Sequence, residues 1–138
     1  MEEQYFNKCL DLAKKAALMD EIPVGAVVVY DNKIIGEGFN QRESKNLVTS
    51  HAEIEAIIEA SEVIQSWKLN ECDLYVTLKP CSMCESVIKQ SRIKNVYYLI
   101  DRLDYKKDFS KTNFILYQNE SLAENSKNIL AKFFENKR

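Results

Sequence analysis

Apolar residues first recur at helical spacing between residues 4 and 18, where Phe6, Cys9, Leu10, Ala13 and Ala17 share one face. That spacing predicts an amphipathic helix, with Cys9 as a small core residue on its stripe. The period then changes. VGAVVVY at 24–30 and KIIGEGF at 33–39 flank Asp31-Asn32 and read as a β-hairpin, although this pair is not among the strongest turn formers. The unbroken apolar run of the first strand predicts burial on both faces. A polar stretch, NQRESKNLVTS at 40–50, reads as a loop. Helical spacing returns from about His51 to Gln65, CDLYVTL at 72–78 reads as a strand, and Cys72 packs at its end. A helix from Cys81 to about Ser91 and a strand NVYYLI at 95–100 repeat the alternation. The segment 101–112 is at most a short helix, and FILYQ at 114–118 reads as a fifth strand. Ser121-Leu122-Ala123-Glu124 has the form of a capping box and opens a last helix running to about Asn136.

A helix, a hairpin and then alternating helices and strands predict an α/β sheet covered on both faces. With 138 residues the chain is expected to form one domain, 1–138, large enough to bury a core without staples. Three Gly and two Pro leave little room for linkers, and no internal repeat is visible. The acidic, amphipathic start MEEQYFNKCLDL is not a targeting segment, and no apolar run is long enough to cross a bilayer. The expected location is therefore the cytoplasm, where four cysteines point to metal binding or catalysis and away from a disulfide framework. Nineteen basic against 21 acidic side chains leave a net charge of −2, without the basic excess usual in nucleic-acid-binding domains. Local clusters exist at Lys89, Arg92 and Lys94 and at Arg102, Lys106, Lys107 and Lys111. They read first as solvated charged faces, with a local nucleic-acid contact as the alternative.

Pro80-Cys81-Ser82-Met83-Cys84 is the chemically pointed stretch. A C-x-x-C pair alone is compatible with a redox dithiol, half of a structural zinc knot or part of a catalytic metal site. The decision comes from SHAEIEA, where His51, the single histidine, precedes Glu53 by two residues. Zinc takes imidazole and thiolate, and a catalytic site uses three protein ligands with the fourth position kept for water. Cys81 and Cys84, three apart at a helix start, point the same way, and the helix N-terminus favours their thiolates. Cys9 or Cys72 could close a four-ligand structural site, but neither has the spacing of a ligand pair. Glu53 also has a bland reading, as the last residue of a Ser50-x-x-Glu53 capping box. That reading leaves the neighbouring histidine and the later cysteine pair unexplained. A carboxylate near a metal site can instead move protons without ligating the metal.

The combination resembles the H-x-E…P-C-x-x-C signature of the zinc nucleobase deaminases. Over nearly its whole length the chain resembles the bacterial tRNA-specific adenosine deaminases, a branch of the cytidine deaminase-like superfamily. IPVGAVVV (22–29), IIGEGFN (34–40), SHAEIEAI (50–57), LYVTLKPCSMC (74–84) and SRIKNVYY (91–98) carry the likeness. The resemblance implies a three-layer α/β/α cytidine deaminase-like fold with a mixed five-stranded sheet. It also implies hydrolysis of a wobble adenosine to inosine in a tRNA anticodon stem-loop, by a homodimer. One Zn²⁺ per chain would be held by His51, Cys81 and Cys84, with Glu53 as the proton shuttle. Asn40 and the backbone of Val24, Gly25 and Ala26 would line the base pocket. Two departures stand out. The family usually has Glu where this chain has Lys79, and Arg-Asp where it has Asp101-Arg102. The glycine-rich loop that follows in the family is replaced here by a lysine-rich one whose cations could reach RNA phosphates. Two other readings compete: a deaminase of a free base or nucleoside on the same fold, and a non-enzymatic zinc module.

Overall fold

The structure, a computed structural model, describes residues 2–101 and 116–135. Its elements run α1 (Glu2–Leu18), β1 (Gly25–Tyr30), β2 (Lys33–Phe39), α2 (Arg42–Lys45), α3 (Ala52–Ile64), β3 (Asp73–Leu78), α4 (Ser82–Gln90), β4 (Asn95–Ile100) and α5 (Glu120–Glu135). Two compact units separate along the chain, Met1–Lys106 and Lys107–Arg138. The second contributes α5 to the description. That helix opens at Glu120, one residue before the sequence reading, because the Ala123 amide bonds to the Asn119 carbonyl at 3.0 Å. Asn119 therefore occupies the cap, and Ser121 lies inside the first turn.

In the first unit the sheet order is β2-β1-β3-β4, antiparallel except for the β3–β4 pair. It is a mixed sheet, as expected, with four strands among the described residues. Of the expected fifth strand, 114 and 115 lie outside the described residues, and 116–118 carry no strand pairing. Nearly all of the 101–112 segment likewise lies outside them. β1 alternates its side chains between two cores. Val27 and Val29 pack with Tyr5, Cys9, Leu12 and Tyr75 on the α1 side. Ala26 and Val28 face the other way, against Ala52, Ala56, Ile57, Ala60 and Leu74. Both faces of β1 are thus buried, which is why its sequence shows no polar alternation. The hairpin turn closes with positive φ at both Asp31 (50°) and Asn32 (61°), the backbone hand a two-residue turn needs, reached without glycine.

None of the three glycines has a positive φ. Gly36 and Gly38 instead mark where β2 runs against α3. A Cβ on Gly36 would overlap the Ala56 carbonyl oxygen, and one on Gly38 would overlap that of Ala52. On the helix side the facing residues are Ala52, Ala56 and Ala60, one per turn and all fully buried. Small residues on both surfaces let backbone approach backbone, so the axial position of α3 is set by contact. We expect Gly38→Ala to cost about 3 kcal/mol or more, since a rigid carbonyl cannot move aside as a side-chain tip can. Urea unfolding would check this, and a loss below about 1 kcal/mol would show that the helix is free to slide.

Candidate metal centre

Both helices next to the sheet's C-terminal edge start with an unusual cap. His51 is the N-cap of α3 (φ −87°, ψ 154°) and Cys81 the N-cap of α4 (φ −72°, ψ 172°). The His51 side chain makes no bond to its own helix. The position ordinarily suits Ser, Thr, Asp or Asn, whose oxygen accepts from the first turn. Here the extended backbone turns the imidazole and the thiol outward, towards each other. The Ser50-x-x-Glu53 capping box is therefore not formed: the helix begins one residue later, and Ser50 is buried ahead of the cap.

His51, Cys81 and Cys84 form a group whose ligand atoms all lie within 4.8 Å of one another. His51 Nδ1 stands 3.7 Å from Cys81 Sγ and 3.5 Å from Cys84 Sγ. A tetrahedral ion with Zn–N near 2.0 Å and Zn–S near 2.3 Å would hold nitrogen and sulfur about 3.5 Å apart. The spacing and chemistry of these three donors fit zinc. Cys9 and Cys72 do not join them. Both are fully buried; Cys9 donates to the Tyr75 carbonyl at 3.3 Å, and burial pushes its thiol up to about 12.

The two thiols share one hydrogen bond. Cys84 donates to Cys81, which with the amides of Cys84 and Met83 and the nearby His51 holds Cys81 down to about 4. The same bond, burial and the charge of Glu53 push Cys84 upward. Glu53 lies in the first turn of α3, 2 % exposed, with its carboxylate hydrogen-bonded to the Cys84 side chain. A buried carboxylate thus stands beside the donor group from the helix that supplies the imidazole.

A cavity of about 170 Å³ opens on this group, lined by Ile22, Val24, Asn40, Arg42, Ala52 and Leu78 besides His51, Glu53 and Cys81. Of the residues expected to meet the base, Asn40 and Val24 line it, each 8 % exposed. Gly25 and Ala26 do not. Gly25 lies against α1 and donates its amide to Thr77 Oγ1 at 3.2 Å, while Ala26 sits in the core.

Arg42 was not picked out from the sequence, because NQRES reads as ordinary polar loop. The turn α2 that starts with it is fixed by buried Glu21, whose carboxylate accepts from the Glu43 amide (3.1 Å), the Ser44 amide (2.6 Å) and the Ser44 hydroxyl. The Ser44 hydroxyl, with the two amides, lowers the Glu21 pKa. A Glu 21 residues upstream of the turn gives no local sequence signal; the Asn40-x-Arg42 spacing was the only available hint.

Lys79 acquires a partner. Its Nζ lies 3.7 Å from Asp101 Oδ1 and 6.0 Å from the Tyr98 ring, and its amide bonds to the Ile100 carbonyl at 2.9 Å. Two positions at which the sequence departs from the resemblance, Lys79 and Asp101, thus meet in space. Arg92, from the other basic cluster, bonds through Nη1 to the carbonyls of Lys89 and Gln90 and lies 5.7 Å from the Trp67 ring.

The family profile described as MafB19-like deaminase matches residues 1–138. A tRNA-specific adenosine deaminase of Buchnera aphidicola subsp. Schizaphis graminum is 41% identical over 145 residues, covering 99% of this chain and 96% of that protein. The chloroplastic tRNA(adenine(34)) deaminase of Arabidopsis thaliana is 44% identical over 98 residues, 71% of this chain; the chain spans only 8% of that long protein. A structure from studies of A-to-I editing by tRNA:A34 deaminases superposes with a TM-score of 0.72 at 39% identity, over 73% of this chain and 78% of that one. Guanine deaminase from Bacillus subtilis superposes with a TM-score of 0.76 at 29% identity, over 92% of both chains.

The Lys79–Asp101 pair predicts that Lys79→Glu alone lowers stability and that adding Asp101→Arg restores it. A double-mutant cycle by thermal or urea unfolding should return a favourable coupling of about 0.5 kcal/mol, the usual worth of an exposed pair. Additive effects would show the two charges to be independent.

Proposed function

The chain belongs to the MafB19-like deaminases and among them to the tRNA-specific adenosine deaminases, and from that membership we propose that it hydrolyses the wobble adenosine of a tRNA to inosine. The reaction consumes one water and releases one ammonia. The observation that supports this reading most is the convergence of His51, Cys81 and Cys84 within 4.8 Å, beside buried Glu53, at the floor of a small cavity.

His51, Cys81 and Cys84 would hold one zinc ion per chain, which when bound supplies the Lewis acidity that makes a water nucleophilic near neutral pH. The rest falls to the chain's own groups. Glu53 Oε takes the proton of the attacking water and returns it to the purine ring. In the second half of the reaction it carries a proton to the departing amine. Its burial removes competing water and keeps the carboxylate aimed at one place. Asn40 accepts the Arg42 amide through Oδ1 at 3.4 Å, which leaves its NH₂ to donate to a purine ring nitrogen. Val24, Ile22 and Leu78 provide apolar walls for the ring. The working unit would be a homodimer in the cytoplasm; among the described residues no helix is long and apolar enough to cross a membrane.

The likeness to guanine deaminase favours a second reading, hydrolysis of a free base. One experiment separates the two. Zinc-loaded protein should convert the wobble adenosine of a tRNA to inosine, read by nuclease digestion and chromatography, while leaving free guanine and cytosine unchanged. The opposite outcome would overturn the proposal. Glu53→Gln should keep one zinc per chain by metal analysis and lose roughly 100- to 10,000-fold in kcat. Full activity in that variant would remove Glu53 from the chemistry.

A further inference from the structure

The cavity at the metal centre is small. At about 170 Å³ it lies well below the roughly 300 Å³ at which pockets for drug-sized ligands begin. It has room for a base, and a ribose and phosphate attached to that base must remain at its mouth. Among the residues lining it, Arg42 is the one Lys or Arg.

Arg42 is held in place chiefly through its backbone, its charge acting on Glu21 only as the smallest of the influences that lower that carboxyl. Its backbone is pinned on both sides: the amide donates to Asn40 Oδ1 at 3.4 Å, and the carbonyl accepts from Leu47 at 3.1 Å. The turn it begins is anchored by the Glu21 carboxylate and ends at Asn46 in the left-handed region, φ 55°. The guanidinium, by contrast, is loosely engaged. It makes a 3.4 Å bond to Glu43, the next residue, with both side chains well exposed. Such a pair contributes little to stability. A rigid backbone thus presents a weakly committed cation beside the entrance to a base-sized cavity. The planar guanidinium fork matches phosphate oxygens bidentately. The cation is also notable in a chain of net charge −2, where long-range attraction for a polyanion is weak.

We infer that Arg42 grips a backbone phosphate of the nucleotide whose base enters the cavity, and so makes the site select a polynucleotide over a free base. This deepens the proposed function and rests on it. Arg42 does not act on the reacting atoms. It holds the substrate by a group that a free base lacks.

The test compares wild type with Arg42→Gln, Arg42→Lys and Glu43→Gln on an anticodon stem-loop carrying the wobble adenosine. Arg42→Gln should raise KM roughly 10- to 100-fold with kcat within about twofold, the worth of a charge-assisted bond. The slope of log(kcat/KM) against log[salt] should flatten by about 0.7, one single-strand phosphate contact. Arg42→Lys should recover most of both losses, and Glu43→Gln should match wild type. An unchanged KM and salt slope in Arg42→Gln, or a fall in kcat alone, would overturn the inference while the deaminase stands. A wild-type enzyme inactive on the stem-loop would instead overturn the proposed function. Circular dichroism melts of each variant separate loss of grip from loss of fold, since a folding defect would not be rescued by lysine.

Discussion

The close approach of α3 to β2 is the constraint on which the rest of the metal centre depends. Gly36 and Gly38 remove the side chains that would keep the helix away, and Ala52, Ala56 and Ala60 do the same from the other side. A helix seated on Leu or Ile can shift by repacking its side chains. One seated on backbone has no such freedom, because carbonyl oxygens and amides are rigid and closely packed. The contact at Gly38 reaches Ala52, the residue directly after His51 and directly before Glu53. The imidazole and the carboxylate are therefore located by the same contact that fixes the helix. Distances between His51 and the cysteines of 3.5 and 3.7 Å need that kind of support, since a slide by one residue would carry the imidazole about 1.5 Å along the axis.

The second half of the site comes from the sheet. β3 ends at Leu78, Pro80 cannot continue a strand, and Cys81 turns the chain into α4. The helix that starts at His51 gives up a side-chain cap, a loss of about 1 kcal/mol by the usual measure. What the fold gains is two helix N-termini converging on one point, where exposed amides and helix dipoles favour thiolate and other anionic forms. The Cys84 hydrogen bond, followed by the first-turn amides and His51, lowers the Cys81 pKa in the same direction. A local rule is broken at both caps, and both breaks fall at the site, where such exceptions are expected.

Much of this was legible in the sequence, for identifiable reasons. Period-3.6 and period-2 patterns located α1, β1, β2, α3, β3, α4 and β4 to within a residue or two, most of them because an apolar face is buried, although β4 is largely exposed. The His51, Glu53, Cys81 and Cys84 group was legible because a lone histidine next to a C-x-x-C pair has few alternative explanations. Other features depended on partners distant in the chain. The α2 turn is created by Glu21, which no local pattern connects to Ser44. The meaning of Lys79 required Asp101, brought alongside only by the parallel pairing of β3 with β4. The close contacts at Gly36 and Gly38 gave no local sequence signal, since these residues matter for the side chain they lack. The capping boxes at Ser50 and Ser121 failed for a common reason. A Ser-x-x-Glu string is compatible with a helix start, but a better-placed neighbour, His51 or Asn119, took the cap.

Substrate choice follows from size and charge together. A base-sized cavity with an apolar wall and one amide donor would serve a free purine as well as a nucleotide, so its interior cannot explain a preference for RNA. The preference has to come from the mouth, where the sugar and phosphate remain. There the chain offers Arg42 on a turn held by a buried carboxylate. The turn's position is thereby coupled to the same β2 edge that seats α3, since Asn40 follows Phe39, the last residue of that strand. A single strand thus leads into both Asn40 and Arg42 at the cavity. Its glycines meanwhile seat the helix that carries His51 and Glu53. The proposed binding of the nucleotide and the proposed attack on it would therefore both rest on this one structural edge.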